Sequence, residues 1–249
     1  MKGTLDLDSI DTWHSDFSAL LYASDMWRQV ETRIKNSGDS EFLPALTYTK
    51  DRLDDLTRPI RLKAEEILST RYTSVIAYHG CRPKDPDSYR TKGILPSEPS
   101  ILIETARGLF DGLHGLEEAI NEVCSNTYIA HVKARIWLYF SGLRARHPNE
   151  SHRNGSELIR SIATRLGREA EERFEETGKP TLIKCSIPLE RLAEYEDSSV
   201  VSIYAGKIIE GLIRKQLWPK EEPTGFQGGY YLTRIIPSEN IVGFIDVSG

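Results

Sequence analysis

Ser74-Val75-Ile76-Ala77 is a run of small and β-branched residues that leads directly into Tyr78, His79, Gly80, Cys81 and Arg82. It constrains the fold more than any other stretch. Val75 and Ile76 fit the pleated, buried surface of a strand. A glycine inside a strand gives up packing, and it marks a place where a ligand or another backbone comes close. Arg82 can hold a carboxylate or phosphate through paired N–H groups. The first half of this strand therefore belongs in a core, while the second half brings an imidazole, a bare backbone and a guanidinium to one point. With 249 residues, the chain is long enough to bury such a core. Its hydrophobic content of 39% and charged content of 28% are those of an ordinary globular protein.

The segments around this strand alternate irregularly. Phe17, Leu20, Leu21, Met26, Trp27, Val30 and Ile34 recur at roughly helical spacing between Asp16 and Ile34. Asn36–Ser40 reads as a loop and Leu43–Leu56 as a second helix. A third, Ile60–Thr70, carries Pro59 in its first turn. Beyond the first strand, Gly93-Ile94-Leu95-Pro96 predicts a turn and 101–126 a helix. Ala134–Ser141 reads as a second strand with Ile136, Leu138 and Phe140 facing one way. Arg144–Asn154 is a polar loop. Ser156 caps an amphipathic helix over 157–177 that stops at Gly178. Thr181–Ile187 reads as a strand, Val200–Tyr204 as a short strand, Lys207–Leu217 as a helix, and Gly229–Ile236 and Ile241–Val247 as closing strands. This order predicts an α+β fold rather than a repeating βαβ array. The domain expectation is a helical N-terminal extension over 1–71 followed by a mixed domain over 72–249.

Composition narrows the function classes. A net charge of −5 argues against binding nucleic acid through bulk electrostatics, although a local basic groove remains compatible with it. The start of the chain is acidic and lacks an apolar signal region, and no window approaches the ~18 apolar residues a membrane span needs. A cytoplasmic, membrane-free setting is the expectation. Cys81, Cys124 and Cys185 are few and widely spaced, which suits reduced thiols and neither a disulfide scaffold nor a zinc motif. Cys81 is expected to be a small residue of a pocket wall rather than a reactive thiol. His14, His114 and His131 show no metal spacing, so no metal is expected.

The His79-Gly80-Cys81-Arg82 element resembles the first strand of the ADP-ribosyltransferase superfamily, where a His-Gly pair opens the NAD pocket. Tyr139-Phe140-Ser141 resembles the aromatic-aromatic-small segment of that fold's second core strand. Gly225–Tyr231 followed by Ile236-Pro237-Ser238-Glu239-Asn240-Ile241 looks like its closing unit. The resemblance implies an ADP-ribosyltransferase-like split β core that takes NAD as substrate and transfers ADP-ribose to a protein or nucleic acid acceptor. It implies that His79 holds the ribose hydroxyls, the Gly80 backbone holds the carboxamide, and Arg82 steadies the pyrophosphate. Tyr89 or Tyr139 would stack on nicotinamide, and Ser141 would lie beside the ligand. It also implies His79, Tyr139 and Gln227 as the catalytic set.

The departure from that pattern is at Gln227, Gly228 and Gly229, where a catalytic glutamate ordinarily precedes the tyrosine-bearing strand. Glutamine can hydrogen-bond a ribose hydroxyl but cannot take a proton or neutralise positive charge. Glu157, Glu210, Glu221 and Glu222 are the replacements the sequence offers. One alternative is an RNA 2′-phosphotransferase-like enzyme, which uses NAD with arginines and a histidine instead. Another is an inactive module that only binds a nucleotide or a partner. By analogy, a small transferase of this kind fits a bacterial toxin or antiphage effector held in check by an inhibitor protein.

Overall fold

The computed structural model describes residues 2–10, 13–22, 28, 32, 54–125, 134–146, 155–192, 200–217, 226 and 228–247. Residues 36–40 and 43–53, the expected first loop and most of the second helix, lie outside these, as do His131, His147, His152 and Gln227. The chain is α+β. Its strands are β1 (Gly3–Leu5), β2 (Tyr72–Cys81), β3 (Ile136–Tyr139), β4 (Thr181–Pro188), β5 (Gly229–Leu232) and β6 (Ile241–Asp246). They form one sheet in the order β5-β3-β2-β4-β6, and β1 runs parallel to the first half of β2. The β2–β3, β3–β5 and β4–β6 pairs are antiparallel.

Two compact units make up the chain. The first combines Met1–Ile76 with Ile187–Phe226, and the second combines Ala77–Ser186 with Gln227–Gly249. The first unit holds β1 and the helices α1 (Ser15–Tyr22), α2 (Asp54–Arg71), α9 (Leu189–Leu192) and α10 (Val200–Leu217). Its core is pinned by aromatic and polar contacts together. Phe17 stacks on Tyr72 with ring centroids 5.9 Å apart. The Tyr72 hydroxyl oxygen accepts the backbone N–H of His14 at 2.8 Å, and the buried Tyr204 hydroxyl donates to the Ile76 carbonyl at 3.0 Å. A phenol buried with its hydroxyl satisfied contributes area without an orphaned polar atom.

Helix α10 replaces the expected strand at Val200–Tyr204. Val200, Tyr204, Ala205, Ile208, Ile209, Leu212 and Ile213 are all buried, and they recur at helical spacing across the whole element. That long period overrides the β preference of Val200, Val201 and Ile203, which a short window reads in isolation. Likewise α2 runs unbroken through Pro59, so the proline is interior to the helix and not in its first turn.

The second unit holds α3 (Asp87–Lys92), α4 (Pro99–Leu109), α5 (Leu116–Ser125), α6 (Gly142–Ala145), α7 (Glu157–Leu166) and α8 (Arg168–Glu176). Here 101–126 is two helices, α4 and α5. The expected single helix over 157–177 is also two, because Gly167 adopts φ +94° between α7 and α8. A glycine takes that conformation at little cost, and the chain turns there. Phe110, Ile120, Val123, Leu158, Ile159, Ile162, Ala170 and Phe174 join α4, α5, α7 and α8 into one apolar cluster. In β3 the alternation is as the sequence predicts: Ile136, Leu138 and the following Phe140 are buried, and Phe140 packs on Tyr230 with centroids 5.3 Å apart. The strand is shorter than expected. Ala134 has φ 57° before it, and Ser141 already belongs to the next helix.

Two charged residues of α10 are buried inside the first unit, Lys207 at 2% and Glu210 at 3% exposure. Glu210 carries both partners: Lys207 Nζ is 3.4 Å from Oε2, and Arg214 Nη2 is 2.9 Å from Oε1. Among the described residues, Lys207 hydrogen-bonds only to Glu210. Burial holds the Lys207 ammonium below its ordinary 10.5, and Glu210 offsets only part of that shift. Removing Glu210 strands a buried cation, whereas removing Lys207 leaves Glu210 still paired with Arg214. Glu210→Gln is therefore expected to cost about 3–5 kcal/mol in a denaturant titration, and Lys207→Met less than half of that. The unfolded chain binds more protons than the folded one between Lys207's lowered pKa and 10.5, so this group's contribution makes stability rise with pH across that window.

Candidate functional site

A cavity of about 510 Å³ opens within the second unit at the ends of β2 and β3. One wall is His79, Gly80, Cys81 and Arg82 of β2 and the residue after it, with Trp137 and Tyr139 of β3. Another wall is the apolar helical cluster, through Leu102 and Leu109 of α4, Leu158 and Ile159 of α7, and Phe174 of α8, with the exposed Ile101 beside it. A third wall is the strap Gly93–Ser97, which follows α3.

The strap is held at both ends. Ile94 and Ile236 exchange backbone hydrogen bonds of 2.8 and 2.9 Å, Ser97 N–H donates to the Arg135 carbonyl at 3.0 Å, and Ala134 N–H donates to the Ser97 carbonyl at 2.8 Å. Gly93 begins the strap at φ +71°, and a Cβ there would lie 2.2 Å from the Ile236 carbonyl oxygen. Only glycine satisfies both the dihedral and the approach.

Each expected site residue has a definite position except one. His79 lines the cavity, and its Nδ1 is 2.9 Å from the Trp137 carbonyl oxygen. A carbonyl only accepts, so Nδ1 carries the proton and Nε2 bears the lone pair of the neutral ring. Gly80 and Tyr139 line the cavity as well. Arg82 also lines it, but its Nη2 donates to the Glu175 carbonyl at the end of α8, and its guanidinium lies 5.8 Å from the Phe174 ring centroid. Burial lowers the Arg82 pKa, with Glu175 opposing the shift.

Tyr89 lines the cavity with its hydroxyl hydrogen-bonded to the Cys81 thiol. Burial raises both groups, Cys81 to about 12. The ring of Tyr89 is thus the part left to meet a ligand. Ser141 does not line the cavity. It is fully buried and caps α6, with its hydroxyl accepting the Arg144 N–H at 3.2 Å. Gln227 lies outside the described residues.

The cavity also gathers Ser88, Lys92, Trp137 and Glu98, which the sequence does not single out for a ligand. Ser88 and Lys92 ride on α3, whose start is signalled by Asp85-Pro86-Asp87; the Asp85 carboxylate accepts the Asp87 N–H at 3.0 Å. Of the four candidate glutamates, Glu157 is on the wall. Glu210 is committed to Lys207 and Arg214 in the other unit, and Glu221 and Glu222 lie outside the described residues. Glu157 stands in the first turn of α7, beside the positive end of the helix dipole.

Among the described residues, no group of three or more His, Cys, Asp or Glu could hold a metal ion, and no helix is long and apolar enough to cross a membrane. No family model matches the chain, and neither a curated protein nor a solved structure matches it significantly.

Burial also raises the Cys185 thiol to about 12, and it raises Cys124 to a smaller degree. Cys81 and Cys185 are buried while Cys124 is half-buried. A chromogenic disulfide reagent at mildly alkaline pH should therefore titrate Cys124 first in the native protein, and Cys81 and Cys185 only after denaturant is added. Fast labelling of Cys81 in the native state would mean that the β2 end is not packed as described.

Proposed function

We propose that the cavity binds NAD and that the protein transfers its ADP-ribose to a macromolecular acceptor. One observation carries this reading. His79, Gly80, Arg82, Tyr89 and Tyr139, taken from two separated stretches of sequence, line a single cavity. A volume of about 510 Å³ is in the range of pockets that enclose a cofactor-sized ligand. The segments that resemble the ADP-ribosyltransferases include β2, the end of β3 and β5, which are neighbours in the sheet, and the last one runs on from β5 to the start of β6 at the other edge.

The chemistry follows from the walls. The His79 Nε2 lone pair accepts a ribose hydroxyl, and the Gly80 backbone lets the carboxamide approach. Tyr139 and the ring of Tyr89 offer faces to nicotinamide. The bond between C1′ and the nicotinamide nitrogen breaks with its electron pair leaving on nicotinamide, and a cation-like sugar remains, which aromatic faces tolerate. An acceptor nucleophile then bonds to C1′ and gives up a proton. Glu157 is the wall carboxylate suited to the two tasks Gln227 cannot perform, offsetting the positive sugar and taking that proton.

Incubation with NAD labelled in its adenylate part, plus cell lysate, tests the proposal through two readouts, nicotinamide release and label on macromolecules. His79→Ala and Glu157→Gln are each expected to slow release by about 10²-fold or more. Glu157→Gln should keep NAD affinity within a few-fold, because a neutral amide still hydrogen-bonds the ribose. Unchanged release in both variants would sink the transferase reading.

A further inference from the structure

The face of β3 that lines the cavity continues beyond it. Arg135, Trp137 and Tyr139 alternate with the buried Ile136 and Leu138, so they share one side of the strand. Trp137 is 38% exposed, unusually open for an indole, whereas Tyr78, Tyr139 and Tyr230 of the same sheet are buried. It stands directly opposite Tyr231 in the β3–β5 ladder, with centroids 5.3 Å apart and planes at 62°. The Arg135 guanidinium lies 4.1 Å from the Tyr231 ring centroid. A planar cation, a phenol and an exposed indole therefore form a row along one sheet face, and the indole is itself part of the cavity wall.

We infer that this row is a platform for single-stranded nucleic acid, with one base stacked on Trp137, and that a strand held there is the acceptor. The identification of the strand as acceptor rests on the transferase reading; the binding itself does not. The chemistry favours a base over a peptide. The row sets aromatic faces beside a guanidinium, and every nucleobase has a face to stack on an indole while its phosphate meets a cation. Tyr231 meets Trp137 edge-on, which steadies the indole without covering it. A net charge of −5 gives the protein no broad positive field, so retention of a polyanion must come from local stacking and from Arg135 beside it. A duplex keeps its base faces covered, so a single strand is the form that fits.

The test uses the full chain without NAD and follows the fluorescence anisotropy of a short labelled single strand, as RNA and as DNA, against the same sequence as a duplex. The single strand is expected to bind more tightly than the duplex. Trp137→Ala should weaken single-strand binding about tenfold, and Trp137→Phe should retain most of it. Arg135→Gln should weaken binding and flatten its dependence on salt. Thermal melts of all three variants establish that they fold. Equal binding by Trp137→Ala and the native protein, or no preference for the single strand, would overturn the inference. With NAD added, nicotinamide release with label found only in a protease-sensitive fraction would sustain the transferase and overturn a nucleic acid acceptor. Trp137-dependent strand binding without any nicotinamide release would sustain the platform and overturn the transferase.

Discussion

The hydrogen bond from His79 to the Trp137 carbonyl is the contact on which the rest of the site depends. It ties the end of β2 to the middle of β3 just where Tyr78 pairs with Tyr139, and so fixes the imidazole relative to the neighbouring strand. That one bond sets the tautomer, orients the ring, and uses a main-chain acceptor that no side-chain substitution can remove. The strap from Gly93 then closes a third wall against these two strands, held by Ile236 at one end and by Ala134 and Arg135 at the other. The strand and strap walls of the cavity are therefore set by backbone hydrogen bonding, while the helical wall is set by side-chain packing.

That frame explains which parts of the site could be read from sequence. β2 and β3 were legible because β-branched runs and strict alternation carry their own period; Ile136, Leu138 and Phe140 face the core as the pattern requires. His79 and Gly80 stood out because a strand has no packing reason to end that way. Ser141 shows the limit. A small polar residue after two aromatics reads equally well as a ligand contact or as the cap of a helix too short to show periodicity, and the structure uses it as a cap.

The missed residues fail for a related reason. Lys92 sits in the last turn of α3, where a basic residue is sufficiently explained by the helix dipole, and Glu98 sits just before α4; Glu157, which the sequence does offer, is equally well explained as an acidic first turn of α7. Nothing local marks that the same positions also face a cavity; only the packing of α4, α7 and α8 against the sheet does so. The misread of Val200–Tyr204 has the opposite cause. There the local signal was strong, and a period extending to Ile213 outweighed it.

The protonation states inside the cavity narrow the chemistry further. Cys81 is held as a thiol by burial and its sulfur donates to the Thr181 carbonyl at 3.6 Å, so a covalent route through sulfur would first have to ionise a thiol raised to about 12. Tyr89 points its hydroxyl into the same contact and is raised as well, which removes it as a base near neutrality. Arg82 remains cationic despite the lowering and spends one N–H on Glu175. Three of the polar groups on the β2 side thus bind or shape. In the proposed transferase, proton transfer would fall to His79 and to the carboxylates on the wall, Glu98 and Glu157. Of those two, Glu98 precedes α4 at the strap end, whereas Glu157 opens α7, whose Leu158 and Ile159 also line the cavity, and it is Glu157 that the proposed reaction would use for charge stabilisation.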